Sequence, residues 1–108
     1  MNIKQIDRDH IWHPYTQYAT APEPLLVESA MDAVLNLENG EQVIDAVSSW
    51  WVNIHGHSNP RLATAVHDQF CKLEHVIFAG FTHEAAAKLS AELLPLLPGK
   101  AERLFFSD

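Results

Sequence analysis

Closely spaced histidines are the first residues of this sequence that suggest chemistry. His10 and His13 lie one helical turn apart, and His55 and His57 flank a glycine. Imidazole pairs at such spacings can bind zinc, but two histidines supply at most half of a typical zinc shell. Pro14 disfavours a regular helix at the first pair, and no cysteine or carboxylate cluster lies near the second to complete a shell. We therefore predict no metal site.

A tryptophan pair in the run Ser48-Ser49-Trp50-Trp51 is the second feature with chemical potential. In an extended segment, neighbouring side chains point to opposite faces, so one indole can fill the core while the other lines a pocket or an interface. An indole offers a flat apolar wall with one N–H donor, which suits a pocket for a long aliphatic substrate. Packing alone is the alternative interpretation for both rings.

Turn residues between apolar runs predict the strands that would position these clusters. Asn39-Gly40 separates two apolar runs, which predicts a hairpin with strands near 33–38 and 42–46, because both turn residues tolerate positive φ. The apolar run 103–107 follows a helix and a turn and predicts a buried strand. Such a strand ordinarily feeds a loop and a crossover helix, so we expect the sequence to be a piece of a longer protein.

Helix signals stand between these strands. Asn59-Pro60 predicts a helix start, because asparagine caps and proline suits the first helical position. Apolar residues at helical spacing extend this helix over 60–73. Thr82 is a second candidate cap, for a helix over 83–94 that Pro95 ends.

Charge and composition narrow the classes of function. The chain has 108 residues and a net charge of -7, with 14 acidic and 7 basic residues. Phosphate binding needs a surplus of lysine and arginine, so nucleic acid is not expected as a partner.

No apolar run approaches the roughly 20 residues that span a bilayer, and the polar start lacks the apolar segment of a signal peptide. Cys71 is the single cysteine, which suits a reducing cytoplasm, and we expect a cytoplasmic protein without membrane contact.

Five blocks of this sequence, taken together and in order, resemble one protein family. They are DRDHIWHPYT at 7–16, VSSWW at 47–51, HGHSNP at 55–60, FAGFTH at 78–83 and LFFSD at 104–108. The family is that of the adenosylmethionine–8-amino-7-oxononanoate aminotransferases, within the class-III pyridoxal-phosphate aminotransferases. The HPYT and SSWW blocks are specific, because the broader class generally lacks one or both.

The resemblance implies an α/β fold, the N-terminal portion of a fold-type-I pyridoxal-phosphate aminotransferase. Residues 1–58 would form an N-terminal arm and a small-domain segment with the β-hairpin. Residues 59–108 would contribute the first helices and a strand of the large, cofactor-binding domain. By the same resemblance, Tyr15 corresponds to a tyrosine that helps recognise the substrates, and Trp50 to an indole on the wall of the substrate pocket.

The resemblance also implies a reaction. Members of the family move an amino group from S-adenosylmethionine to 8-amino-7-oxononanoate, which gives 7,8-diaminononanoate in biotin synthesis. They hold pyridoxal phosphate as a Schiff base on a lysine and act as homodimers whose sites use both subunits. None of the four lysines of this chain lies in the family's lysine motif; they are Lys4, Lys72, Lys88 and Lys100. We therefore assign no catalytic or cofactor-binding residue to this chain and expect it to be inactive alone.

Two other functions stay open. One is a class-III aminotransferase with a different amino donor or acceptor. The other is a free-standing, non-catalytic binding module that uses the tryptophan and histidine clusters.

Overall fold

A computed structural model describes residues 2–107 of the chain. The chain divides into two compact units, Met1–Thr64 and Ala65–Asp108. Each unit is described by itself below. The domain boundary expected after residue 58 stays a prediction.

The first unit begins with a helix that the sequence left unassigned, α1 (Ile3–His10). Asn2 caps it, because its side-chain Oδ1 accepts a hydrogen bond from the backbone N–H of Gln5 at 3.2 Å. An ion pair between Lys4 and Glu38 joins this helix to the hairpin that follows in the chain. The helix ends before Pro14, as proline chemistry requires, so His13 lies outside it.

Three antiparallel strands form one sheet in the order β1-β2-β3. They are β1 (Val27–Met31), β2 (Val34–Leu37) and β3 (Gln42–Ile44). The hairpin of β2 and β3 confirms the sequence prediction, with Leu35 paired to Val43. Strand β1 was missed, because its core Glu28-Ser29-Ala30 lacks an alternating apolar pattern.

The turn between β2 and β3 differs in one respect from the expectation. Leu37 N–H donates to the Glu41 carbonyl at 2.9 Å, and Gly40 N–H donates to the Leu37 carbonyl at 3.0 Å. Of the two turn residues, only Gly40 has positive φ, at 84°. Asn39 instead accepts a hydrogen bond from the Glu41 N–H through its side-chain Oδ1, at 3.0 Å. The connection is therefore the three-residue kind, with glycine in the left-handed position.

The chain after β3 makes a four-residue helical turn, α2 (Ser48–Trp51), and then returns to the β1–β2 loop. The return is an antiparallel bridge between Asp32 and His57. Asp32 N–H donates to the His57 carbonyl at 3.1 Å, and His57 N–H donates to the Asp32 carbonyl at 2.8 Å. Gly56 permits this close approach, because a Cβ there would lie 3.0 Å from the Asp32 Cα.

Helix α3 (Pro60–Lys72) confirms the predicted start at Asn59-Pro60. The Asn59 Oδ1 accepts hydrogen bonds from the backbone N–H groups of Arg61 at 3.0 Å and Leu62 at 3.3 Å. This helix begins in the first unit and continues into the second.

In the second unit, helix α4 (Glu84–Leu93) confirms the other predicted helix and corrects its cap. The capping residue is His83 and not Thr82, because the ring Nδ1 of His83 accepts from the Ala86 N–H at 3.4 Å. A short 3₁₀ helix, Leu94–Leu96, follows directly.

The buried strand predicted at 103–107 is not present in the described chain. Residues 101–107 carry no regular element, although Phe106 packs edge-on against Phe78 with ring centroids 5.5 Å apart. A strand exists only through hydrogen bonds to a neighbour, and no described segment pairs with this one. The run is apolar as predicted, but it does not form the predicted buried strand in the described residues.

Few apolar side chains are enclosed within the described residues. Leu37 and Ala86 are the buried hydrophobic residues. The apolar faces of helices α3 and α4 are exposed to solvent at Leu62, Val66, Phe70 and Leu89. Phe105 is 92% exposed. Apolar surface of this extent promotes association.

We predict that the isolated 108-residue chain self-associates or is partly molten, because large apolar side chains of its helices and of the run at 103–107 remain exposed in the described residues. Sedimentation and hydrogen exchange on the purified chain would test this. A monomer that unfolds cooperatively, with strong protection of the amides of Leu104 and Phe106, would contradict it.

A second prediction concerns the bridge at Asp32. Gly56→Ala should lower the hydrogen-exchange protection of the Asp32 and His57 amides, because the new Cβ meets the Asp32 backbone and the residue has φ of 81°. Gly40→Ala is the matched control. It carries the same left-handed penalty of roughly 1–2 kcal/mol, but its Cβ would meet nothing within 4 Å. Equal loss of protection at the bridge in both variants would refute the steric argument.

Candidate functional site

Asp45 is the centre of the best-connected polar cluster among the described residues. Its Oδ1 accepts from the backbone N–H of Ser49 at 2.9 Å, and its Oδ2 accepts from the Ser49 hydroxyl at 2.7 Å. The same Oδ2 lies 2.8 Å from Nε2 of His57. The side chains of Asp45 and His57 are only 6% and 16% exposed. Strand β3 and the Asp32–His57 bridge hold the two partners in place.

These hydrogen bonds fix the charge state of the cluster. The Ser49 N–H, followed by His57 and the Ser49 hydroxyl, lowers the pKa of Asp45 to about 2. Asp45 is therefore ionised at neutral pH and can only accept hydrogen bonds. It follows that Nε2 of His57 carries the hydrogen in this contact.

The Asp45 carboxylate accepts its hydrogen bonds from Ser49, which belongs to a left-handed turn at Ser48–Trp51. Every residue of α2 has positive φ: 50° at Ser48, 47° at Ser49, 60° at Trp50 and 67° at Trp51. For an L-residue this conformation costs roughly 1–2 kcal/mol, and glycine alone avoids the cost. The sequence prediction of an extended segment with the two indoles on opposite faces is therefore wrong. Successive αL residues do not alternate across two faces.

The left-handed turn brings together two side chains that are distant in the sequence. The rings of Tyr15 and Trp50 pack at a centroid distance of 5.2 Å, tilted by 58°. Both are partly open, with 87% of Tyr15 and 59% of Trp50 exposed. The pair thus presents an apolar aromatic surface with one phenolic hydroxyl, able to contact an alkyl chain and bond a polar group.

The segment that carries Tyr15 has supports of its own. His13 Nε2 lies 2.8 Å from Oδ2 of Asp7 in α1. The Thr16 hydroxyl donates to the His13 carbonyl at 2.7 Å. Tyr15 itself has φ of 58°, so the chain bends sharply at the residue whose ring meets Trp50.

Tyr15 and Trp50, the two residues that the resemblance assigned to substrate binding, are thus neighbours, and their role stays a prediction. Sequence reasoning missed Asp45 and Ser49. The only signal was a carboxylate directly after the apolar run Val43-Ile44 and four residues before a hydroxyl. Within residues 2–107, no group of three or more possible ligand side chains could hold a metal ion.

Comparison with known proteins shows which family this chain is similar to. The family described as "Aminotransferase class-III" matches residues 15–108. The chain is 52% identical over 99 residues to the adenosylmethionine-8-amino-7-oxononanoate aminotransferase of Synechococcus elongatus, covering 92% of this chain and 23% of that protein. A protein of the same name from Buchnera aphidicola is 42% identical over 107 residues, covering 99% and 25%.

Solved structures of transaminases are also similar to this chain. The enzyme of that name from Methanocaldococcus jannaschii superposes with a TM-score of 0.79 at 31% identity, covering 89% of this chain and 22% of its own. An omega transaminase from Pseudomonas jessenii, solved in complex with PMP, gives 0.83 at 26% identity, covering 91% and 22%. The chain therefore spans about a quarter of the length of the curated relatives it matches, and the α/β fold class is confirmed.

We predict an acid-dependent loss of stability that originates at Asp45. A carboxylate whose folded pKa is about 2 contributes stability above its unfolded pKa of about 3.9 and loses it as the pH falls towards 2. The difference in free energy of unfolding between the unmodified protein and Asp45→Asn should therefore be largest above pH 4 and shrink below it. Urea unfolding of the full-length protein at several pH values measures this difference.

Asp68→Asn is the matched control, because it removes the carboxylate of an exposed Asp–His pair, at 71% and 75% exposure. Exposed pairs contribute little to stability. The same pH dependence in both variants would show that the Asp45 cluster is not its source.

Proposed function

Because this chain belongs to the class-III aminotransferases, we propose that it forms part of a pyridoxal-phosphate-dependent transaminase of biotin biosynthesis. The proposed reaction moves an amino group from S-adenosylmethionine to 8-amino-7-oxononanoate, giving 7,8-diaminononanoate. The names of the relatives at 42–52% identity support this. The complete activity requires more than the quarter of the relatives' length that this chain spans.

The Tyr15–Trp50 contact carries the proposal on the structural side. The acceptor of the proposed reaction is an aliphatic chain with polar ends, and such a molecule needs an apolar wall beside a hydrogen-bonding group. The indole of Trp50 supplies the wall, and the hydroxyl of Tyr15 lies on the adjoining ring, 5.2 Å away between centroids. We propose that these two residues bind the substrate.

Three of the four lysines of this chain, Lys4, Lys72 and Lys88, do not fit the role of cofactor anchor. Such a lysine needs a lowered pKa to act as a nucleophile. Hydrogen bonds to Glu38 raise the pKa of Lys4, and hydrogen bonds to Glu84 raise that of Lys88. Lys72 also donates to Glu84, at 2.8 Å. The proposal therefore assigns cofactor binding to parts of the enzyme other than these residues.

Assembly and location complete the proposal. We propose a cytoplasmic homodimer, on the strength of the family resemblance and of a single cysteine in 108 residues. Within residues 2–107, none of the helices has the length and apolar character that a bilayer crossing demands.

A class-III aminotransferase with another amino donor is the second candidate. The likeness to an omega transaminase, with a TM-score of 0.83, favours it at the level of the backbone. The two can be separated by assaying the full-length protein with S-adenosylmethionine and with L-alanine as donors. Transfer to 8-amino-7-oxononanoate from S-adenosylmethionine supports the first proposal, and transfer from L-alanine alone supports the second.

We predict that Trp50→Ala and Tyr15→Phe impair substrate use in the full-length enzyme more than they impair folding. Trp50→Ala removes the apolar wall and should raise KM for 8-amino-7-oxononanoate. Tyr15→Phe removes one hydroxyl, worth about 0.5–1.5 kcal/mol, so its effect on kcat/KM should not exceed roughly tenfold. Steady-state kinetics with both substrates measure these effects.

Tyr18→Phe is the matched control for the hydroxyl. The Tyr18 hydroxyl already donates to the Arg8 carbonyl at 2.7 Å, so its loss should leave the kinetics unchanged. Normal kinetics in both Trp50→Ala and Tyr15→Phe would remove these residues from the substrate site.

A further inference from the structure

We propose that Asp45 is a positioning residue for the substrate site, which it serves by holding Trp50 against Tyr15 through the left-handed turn Ser48–Trp51. This inference rests on the proposed function for its kinetic consequence. Its structural part, the dependence of the Trp50 position on Asp45, is independent of the reaction catalysed.

The first step of the argument is the strain in the turn. Four consecutive residues other than glycine hold φ between 47° and 67°, a conformation that L-residues leave unless other contacts determine it. The backbone bonds of the turn involve its end residues. Ser48 N–H donates to the Asp45 carbonyl at 3.3 Å, and Trp51 N–H donates to the Val47 carbonyl at 3.0 Å. The Ser48 carbonyl accepts from the N–H groups of Val52 and, at 3.2 Å, of Asn53. A further restraint is required at its centre.

Asp45 supplies that restraint at the residue before Trp50. Its carboxylate accepts both hydrogens that Ser49 can donate, at 2.9 and 2.7 Å. Bonds to an ionised acceptor are stronger than bonds between neutral groups. The carboxylate is held in turn by His57 at 2.8 Å, which the Asp32 bridge attaches to the sheet.

The direction of the Trp50 ring follows from these bonds. Ser49 and Trp50 are consecutive, so the φ and ψ of Ser49, 47° and 53°, set where the next residue points. If Ser49 relaxes to negative φ, the indole turns away from Tyr15 and the aromatic pair separates. No atom of Asp45 needs to touch substrate for this effect.

Labelling of the full-length protein with 5-fluorotryptophan gives a readout that does not depend on activity. The Trp50 fluorine resonance, assigned with Trp50→Phe, should shift in Tyr15→Leu, because the neighbouring ring current is lost. Asp45→Ala should shift or broaden the same resonance and leave that of Trp12 in place. An unchanged Trp50 resonance in Asp45→Ala would overturn the proposal.

Kinetics of the same variants test the consequence for the substrate. Asp45→Ala should raise KM for 8-amino-7-oxononanoate roughly tenfold, the effect of losing one or two ordinary hydrogen bonds. It should change kcat much less, because a wall residue contributes binding that is uniform along the reaction. Asp45→Asn keeps an oxygen that can accept from the Ser49 N–H, so it should restore most of the KM.

Asp68→Asn is the control, because it also breaks an Asp–His hydrogen bond, at 3.1 Å, but on an exposed helix face. If Asp45→Ala does not fold, Ser49→Ala decides: loss of the 2.7 Å bond should shift the Trp50 resonance, and no shift would refute the proposal. A full-length protein without transaminase activity would refute the proposed function alone, since the resonance test stands without it.

Discussion

A single carboxylate, that of Asp45, organises the part of this chain that carries its candidate site; its side chain is 6% exposed. Asp45 directly follows strand β3. It accepts two hydrogen bonds from Ser49 and one from Nε2 of His57. Through the first contact it stabilises a backbone conformation that the local sequence opposes. Through the second it ties the loop after the turn to the sheet. The position of Trp50 depends on these contacts, and the Asp32–His57 bridge supports them by holding His57.

The remaining architecture serves to bring Tyr15 to that turn. Helix α1 is attached to the hairpin by the Lys4–Glu38 ion pair, and the arm after it is braced by Asp7 and His13. The aromatic pair therefore joins the arm that carries Tyr15 to the turn Ser48–Trp51, which lies far from it in the sequence. The outer surface of the pair is open, with 87% of Tyr15 and 59% of Trp50 exposed.

Rules for turns and helix caps, which depend on neighbouring residues alone, predicted the hairpin and the helix start correctly. The hairpin around Gly40 and the helix start at Asn59 follow from turn and capping chemistry, and both are present. The motif blocks predicted the family. The left-handed turn could not be foreseen, because no turn or propensity rule predicts that Asp45 accepts both hydrogens of Ser49. The carboxylate is held in turn by His57, 12 positions away. The strand at 103–107 was assigned from its apolar character, whereas strand formation requires a partner that no described segment supplies.

The turn Ser48–Trp51 also bears on the order in which this region can fold. The β2–β3 hairpin closes through contacts between near neighbours, and such local structures form within microseconds. A run of left-handed residues is unfavourable by itself, and its restraint by Asp45 is complete only when the carboxylate has met the imidazole of His57, 12 positions away. Contacts of longer sequence separation carry a greater loop-closure cost. The indole of Trp50 is thus organised after its scaffold, because the hairpin can form before the turn that positions the ring.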